Sequence, residues 1–588
     1  MCGLYFSTTD ADNISLIRPF IEQRGRDEFN IQKKNNFLFL HSRLSINNNG
    51  IVSKQPVLSK SHRFVILFNG EIYNYKEVSQ QLYGRKDIND TTLLKMLIDD
   101  FDIETVISKL NGMFAILVYD LQEGVVHCAR DKFGQKPLFF SNKINLRISS
   151  SISSLAKITN SSPSEESFKV YSCFGYFPIP RTAYNDIAQL EPGTITTFDT
   201  FSHEILKKKK ISHIGLNISH KSNYSINEVN QIFDEAMDRH LNLDSKSCLL
   251  LSGGVDSSLV SEYLTKKGIK KSFSVGFPDN PEFDESNDAM KVANYLDLDH
   301  SILNFTCEDY FKQIQNLNNI YEQPLGDSSS LPTSLLMKVI SENGFKIAYG
   351  GDGGDELFFG YKRHKKFGDV FYLKSLINYL TLPLKKTNII KINSKIKRLH
   401  ELCSKKNLSD FILFTRNLSK NIFDYSSLHE KPFTESDYAL SVKSFDILSI
   451  FSNDLMVKTD RPSMYYGTEV RNPIIDLNID ALSNFMILND KFIYRQNKKI
   501  LKELLKFRNP NIFIKNKKKG FSIPVDEWIT LQWKEWAMDL MSDFLSQKKF
   551  DYDYTKVEKI LDNHMKKIDN SRDYLWSILM YQNWLNQL

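Results

Sequence analysis

The residue with the plainest chemical capability is the second one. In Met1-Cys2-Gly3, trimming of Met1, which the small Cys2 side chain permits, would leave a thiol and a free α-amine on one residue. A thiol titrates near about 8.5 and an α-amine near about 7.7–8.0, so at neutral pH the amine can take the thiol proton directly or through one water. Such a residue is a nucleophile with its own base. Two glycine-rich segments carry the other chemistry. Leu249-Leu250-Leu251-Ser252-Gly253-Gly254-Val255-Asp256-Ser257-Ser258 reads as an apolar strand feeding a Ser/Gly turn and then a helix. A turn of this kind lets backbone N–H groups converge on an anion at a helix N-terminus, with serine hydroxyls as further donors. No Gly-Lys-Ser/Thr follows, so the loop is not of the Walker type and the phosphate-gripping cation must come from elsewhere. Without a ligand the same residues would make only a tight β–α turn.

The second segment is Tyr349-Gly350-Gly351-Asp352-Gly353-Gly354-Asp355-Glu356. It gathers three carboxylates at the carboxyl end of a predicted strand, where open α/β sheets bind ligands. Carboxylates beside a polyphosphate repel it unless a divalent cation intervenes, so the loop implies Mg²⁺. Asp355 and Glu356 also suit a helix start, where they would satisfy the helix dipole, and the two roles are compatible.

Two unlike halves must position these groups. Up to about residue 200 the chain reads as short β runs between turns: Arg63–Phe68, Met113–Tyr119, Val125–Ala129 after the Gln122-Glu123-Gly124 turn, Pro137–Phe140 and Arg147–Ser149. The polar stretch from Ser202 to Asn227 reads as a connector. Beyond it strands alternate with helices: Ser247–Leu251 and a helix from about Ser258, Ser272–Val275 and a helix around Ser286–Leu296, then Phe345–Tyr349 and another helical start. That alternation implies a parallel sheet flanked by helices. From about Asp480 the residues are mostly helical and aromatic, and Trp528, Trp533, Trp536, Trp576 and Trp584 are expected to pack a terminal layer.

Composition excludes several classes of function. In 588 residues, 41% hydrophobic and 25% charged content is that of a folded, soluble protein rather than a disordered one. A net charge of +6 and short lysine runs at Lys207–Lys210 and Lys515–Lys519 favour solvated loops over a nucleic-acid stripe. Six scattered cysteines without Cys-x-x-Cys pairs or His clusters point to reduced thiols and a cytoplasmic location. No apolar run reaches membrane-spanning length and no signal segment opens the chain, so no membrane partner is expected.

The segment Ser252–Ser257 resembles the pyrophosphate loop of the N-type ATP pyrophosphatases. From Cys2 to about Trp528 the chain resembles the glutamine-hydrolysing asparagine synthetases, through His41-Ser42-Arg43-Leu44-Ser45-Ile46, Asn69-Gly70-Glu71-Ile72-Tyr73-Asn74, Ala129-Arg130-Asp131-Lys132-Phe133-Gly134, both glycine-rich loops, and Asp460-Arg461 through Glu469-Val470-Arg471-Asn472-Pro473. The resemblance implies an α+β first half over residues 2–200, a class II glutamine amidotransferase domain with the αββα sandwich of the Ntn hydrolases. It implies a connector over 201–227. Residues 228–588 would form an α/β ATP-pyrophosphatase (synthetase) domain with a parallel sheet and a helical C-terminal part.

In the first half the resemblance makes Cys2 the nucleophile on the glutamine side-chain amide, with the Asn69 amide and the Gly70 N–H as oxyanion donors. Taken alone, Asn69-Gly70 suits a type I′ hairpin turn, and a turn could aim the same donors. Arg43 suits the α-carboxylate of glutamine, Glu71 and Asp90 suit its α-ammonium, and Leu44, Ser45, Ile46 and Asn47 would complete the pocket. In the second half Leu251, Val275, Gly350 and Gly351 would frame the adenosine of ATP. Ser252, Gly253, Gly254, Asp256 and Ser257 would hold the pyrophosphate, with Asp256 and Asp355 on Mg²⁺ and Lys518 neutralising the departing group. Asp352 stands where the family pattern has a glutamate near the acyl-adenylate, as candidate base. Asn516 stands where Arg is common and Asn48 where Asp is usual. The implied reaction amidates a carboxylate through an acyl-AMP, with ammonia passing between the sites through an internal tunnel. Aspartate is the leading acceptor and a uronic acid of a surface polysaccharide the alternative; a non-enzymatic scaffold would require one of the intact sites to be inert. Substrates are small molecules, and a homodimer is compatible with the resemblance.

Overall fold

Alternation along β1 (Cys2–Ser7) explains why it is buried on both sides: Leu4 and Phe6 face one apolar layer and Tyr5 the opposite one. A computed structural model describes residues 2–46, 54–211, 224–385, 394–405, 407–419, 437–490, 492–512 and 523–588. The first half further holds β2 (Glu28–Lys34), β3 (Phe37–Arg43), β4 (Val57–Leu58), β5 (Phe64–Ile72), β6 (Gly112–Asp120), β7 (Val125–Arg130), β8 (Phe139–Ser141), β9 (Arg147–Ser149), β10 (Ala188–Gln189), β11 (Thr194–Asp199) and β12 (Ile205–Lys210). They form two antiparallel sheets, ordered β10-β8-β9-β1-β3-β2 and β12-β11-β7-β6-β5-β4. Leu4, Phe6, Val65, Leu67, Leu117 and Ile148 fill the space between them. The helices Tyr75–Tyr83, Asp90–Asp100 and Ile103–Ser108 cover the outer face of the second sheet, and Ile14–Glu22 and Ile152–Thr159 cover the first. This is the expected αββα sandwich.

The connector expected over 201–227 is shorter than its polarity suggests. Ile205–Lys210 is the edge strand β12, paired with β11 from Thr194↔Lys210 to Phe198↔Ile205. All six of its residues are exposed, so it carries no hydrophobic alternation to betray it; lysines on an edge strand discourage pairing with another chain. At the other end, Ser225 and Glu228 form a capping box that starts the helix Ile226–His240.

In the second half β13 (Ser247–Leu250), β14 (Lys271–Gly276), β15 (Asp299–Asn304), β16 (Ile347–Tyr349) and β17 (Glu469–Arg471) make an all-parallel sheet ordered β15-β14-β13-β16-β17. The chain leaves β13 toward one edge and returns to β16 on its other side. The switch point therefore lies between β13 and β16, and the loops after these strands are the two glycine-rich segments. Four tryptophans, Trp528, Trp533, Trp536 and Trp576, cluster with neighbouring ring centroids 4.6–6.4 Å apart, as expected of a terminal layer. Trp584 lies in the same apolar cluster, against Tyr581 of the terminal layer and Tyr184 of the first half. Among the described residues no helix is long and apolar enough to cross a membrane, and all six cysteines are free thiols.

The halves share one core. Tyr5, Ile17 and Phe168 belong to the same apolar cluster as Trp576 and Tyr581. Beside it, three buried aspartates of the second half take polar partners from the first. Asp460 accepts from Arg24 at 2.8 Å and Lys136 at 2.9 Å. Asp476 accepts from Asn111 at 2.9 Å and also pairs with Arg239, while Asp480 pairs with Lys132 and Lys443. Burial alone would raise these carboxyls, but the adjacent cations, and for Asp476 first of all the His240 ring, outweigh it and hold all three well below the usual carboxylate range.

Depressed carboxyl values stabilise the fold above the unfolded Asp value of about 3.9 and lose that contribution as pH falls through the folded values. Through these three carboxyls the urea-melt midpoint should therefore fall as pH drops below about 4. Asp460→Ala, which strands two buried cations, should cost about 3–5 kcal/mol in the same melts. A midpoint unmoved by that substitution would contradict the interface described.

Candidate active sites

Antiparallel pairing of β1 with β3 sets Cys2 directly opposite Arg43. The Cys2 N–H donates to Asn69 Oδ1 at 3.0 Å. Asn69 is fully buried, and its Nδ2 has no hydrogen-bond partner, leaving an unspent donor beside the thiol-bearing residue. Asn69-Gly70 is not a hairpin turn. Both residues lie within β5, paired Asn69↔Ala115 and Gly70↔Phe114 on β6. Gly70 has φ +148°, and a Cβ there would overlap the Met113 carbonyl oxygen, so only glycine fits. Burial pushes the Cys2 thiol up, with the positive charge of the N-terminus and Arg43 pulling the other way. The resting thiol is thus protonated, and its proton must leave as it attacks.

Around this thiol the structure gathers Arg43, Glu71 and Asp90, each within electrostatic reach of Cys2 or the N-terminus. Burial raises the Glu71 carboxyl to about 8, Arg471 opposing it and Glu469 and Asp90 adding to it. Burial also raises Asp90, against the N–H groups of Thr91 and Ile72 that it accepts. Leu44 and Ile46 are buried, and the Ser45 N–H donates to Asp27 at 2.7 Å. Asn47 lies outside the described residues, as does Asn48. One cation and two carboxylates about a nucleophile match the charges of a free α-amino acid.

In the second half, Gly254 is the N-cap of the helix Val255–Lys266 and offers no side-chain cap, so the first-turn N–H groups stay open to an anion. Ser252 and Ser257 hydroxyls lie 3.0 Å apart across the loop mouth. Leu251 is buried and tied to β14 by its N–H to the Phe273 carbonyl, and Val275 is buried on that strand. The two loops nest. A Cβ on Gly351 would lie 2.6 Å from the Ser257 nitrogen, so the second loop can approach the first only because this residue is glycine. Gly350 abuts Asn472, whose Oδ1 accepts from the Asp352 N–H at 3.2 Å.

Asp256 and Asp355 come together on Lys498, whose ammonium pairs with Asp256 and lies 2.7 Å from Asp355. No motif announced Lys498. It is a buried lysine at φ +57° just before the helix Lys499–Arg508, in a stretch that looks like ordinary basic surface. Also unannounced is the group beside Asp352: Lys458 pairs with Asp327 at 2.9 Å, and Asp454, buried against Asp327, rises to about 8. Two hard carboxylates that already attract one cation suit Mg²⁺, which usually takes one or two carboxylates and completes its shell with substrate phosphates and water. Among the described residues no three acidic, His or Cys side chains form a self-sufficient metal cage. Lys518 and Asn516 lie outside the described residues.

Comparison with known proteins agrees with this division. Residues 1–209 match the glutamine amidotransferase domain model, and residues 228–586 match the asparagine synthase model. Glutamine-hydrolysing asparagine synthetase 1 of Bacillus subtilis is 26% identical over 556 residues, covering 90% of this chain and 86% of its own. A putative glutamine-hydrolysing asparagine synthetase of Mycobacterium bovis is 23% identical over 89% of this chain and 84% of its own. Asparagine synthetase B of Escherichia coli is 26% identical over 61% of this chain and 64% of its own. A glutamine phosphoribosylpyrophosphate amidotransferase structure from B. subtilis aligns with a TM-score of 0.28 at 13% identity, over 52% of this chain and 81% of that one, too distant to carry an argument. With a thiol-centred amidotransferase sandwich joined to a nested pair of glycine loops on a parallel sheet, the chain belongs to the asparagine synthase family.

Proposed function

We propose that this chain is a glutamine-dependent, ATP-consuming ligase that converts aspartate to asparagine through an acyl-AMP. The observation that carries the reading is the Cys2–Asn69 contact: one amide oxygen holds the chain nitrogen of the nucleophile, and its nitrogen stays free to donate. After loss of Met1 that chain nitrogen becomes an α-amine. It takes the thiol proton as sulfur attacks the glutamine amide carbon, and returns a proton to the leaving ammonia. The tetrahedral oxyanion would lie on Asn69 Nδ2 and the Gly70 N–H, and water then hydrolyses the thioester to glutamate. Arg43 would pair with the α-carboxylate of glutamine, and Glu71 and Asp90 with its α-ammonium.

At the second site the open N-terminus of Val255–Lys266, Ser252 and Ser257 would bind the β- and γ-phosphates, with Leu251, Val275, Gly350 and Gly351 against the nucleoside. Asp256 and Asp355 would hold Mg²⁺, which supplies charge neutralisation to the departing pyrophosphate. Lys498, between these carboxylates, would stay as a second cation at the same place. The acceptor carboxylate oxygen bonds to the α-phosphorus as the bond to pyrophosphate breaks. Ammonia then attacks the acyl carbon and AMP leaves, and Asp352 would take the extra proton. Adenylation is needed because a bare carboxylate would have to expel oxide. Ammonia must also stay unprotonated in transit, which a dry interface between the halves favours.

Three measurements test this. Asn69→Ala should lower glutaminase kcat about 10²–10³-fold. Cys2→Ala should abolish glutaminase activity yet still amidate the acceptor with high ammonium, whereas Asp256→Asn should lose amidation from either nitrogen source by at least about a hundredfold; equal loss of both activities in the Cys2 variant would refute two separable sites. Pyrophosphate release should be driven by aspartate and not by a panel of uronic acids, and the reverse result would replace aspartate with a sugar acid as acceptor.

A further inference from the structure

Arg471 belongs to β17, the edge strand of the ligase sheet, yet its side chain is only 3% exposed and reaches into the amidotransferase half. Its guanidinium is held on two sides within its own half: Nε donates to Glu469 at 2.5 Å and Nη1 to the His240 carbonyl at 2.9 Å. The Tyr73 ring lies against it with its centroid 5.6 Å away, and Tyr73 is itself stacked on His240 at 3.7 Å. With the fork so fixed, Nη2 projects to Glu71, 3.3 Å from its Oε1 across the interface. No other cationic side chain of the described residues forms an ion pair with Glu71.

We propose that Arg471 is a positioning residue of the glutamine site, supplied by the ligase half, which holds Glu71 in place and favours the anionic form that pairs with an α-ammonium group. This rests on the reading that glutamine binds beside Cys2 with its ammonium on Glu71 and Asp90. The groups facing Glu71 explain why a partner is needed. Glu469 from β17 and Asp90 from the helix Asp90–Asp100 bring like charge, the N-terminus brings positive charge, and the Tyr73, Tyr75 and Tyr349 hydroxyls are neutral. Even with Arg471 present, burial lifts Glu71 to about 8. Removal of the guanidinium leaves a buried carboxyl between two acids, which keeps its proton and cannot pair with a cation. Arginine suits this place because its planar fork reaches Glu469, the His240 carbonyl and Glu71 at once while always charged; lysine offers one point charge. The glutamine pocket is therefore not self-contained in the amidotransferase sandwich.

The test is steady-state glutaminase assay of the full-length protein, with glutamate release followed from pH 6 to about 9.5. Glu71 with a raised value ionises as pH rises, so kcat/KM for glutamine should climb through about pH 8 in the unaltered protein. Arg471→Met should raise the glutamine KM at pH 7.5 about tenfold or more, leave kcat within about threefold, and move the rising limb of kcat/KM to higher pH. Arg471→Lys should restore part of both effects, and it keeps the proposal testable should the Met variant fail to fold by thermal melting. Folded variants with unchanged KM and pH profile, or with kcat reduced and both of these unchanged, would overturn the positioning role. Glu71→Gln is the control: if it leaves KM unchanged, the glutamine subsite itself is misplaced, whereas a raised KM there with normal KM in both Arg471 variants sinks only the inference about Arg471.

Discussion

Both sites depend on a buried, charge-paired seam between two halves that could not keep it hydrated. Asp460, Asp476 and Asp480 come from the ligase half and are nearly or wholly out of water. Each would be costly alone. Arg24 and Lys136 from the amidotransferase half satisfy the first, Asn111 joins Arg239 on the second, and Lys132 joins Lys443 on the third. A buried charge with a fixed partner tolerates little displacement, so these contacts fix register as well as attraction. The apolar layer from Tyr5 to Trp576 does the rest, since it belongs to neither half separately.

That register decides how the amidotransferase pocket is built. The residues after β3 lead from Arg43 to Ile46, whose carbonyl accepts from the Ser245 hydroxyl just before the ligase sheet begins. Glu71 meets Arg471 on the far edge of the same sheet. Backbone pairing carries the connection further, because the Arg471 carbonyl accepts from the Gly350 N–H at 2.9 Å and Asn472 holds the Asp352 N–H. A strand three residues long thus touches Glu71 of the first half with one side chain and the second glycine-rich loop with its backbone.

Much of the local structure was legible in the residues. The Leu249–Leu251 run, the Gly-Gly turn and the following helix lie where apolar run and glycines put them, and Arg147–Ser149 is a strand with those bounds. Two expectations yielded to tertiary pairing. Asn69-Gly70 has the composition of a hairpin turn but is held mid-strand, because β6 closes over it and Gly70 must pass the Met113 carbonyl. Ile205–Lys210 looks like connector but forms an edge strand, since backbone hydrogen bonds to β11 need no hydrophobic alternation.

The sequence by itself determined which groups are chemically able: a thiol at position 2, an anion nest after an apolar strand, and carboxylates in a second glycine loop. These are short-range properties of neighbouring residues, fixed by turn stereochemistry and strand periodicity. Which distant groups would share a pocket was decided only by the tertiary structure. Lys498 reaches Asp256 across 242 positions and Arg471 reaches Glu71 through the interface. Neither pairing follows from any spacing along the chain. Each arises because burial makes an isolated charge costly, and packing then brings a partner from another part of the fold.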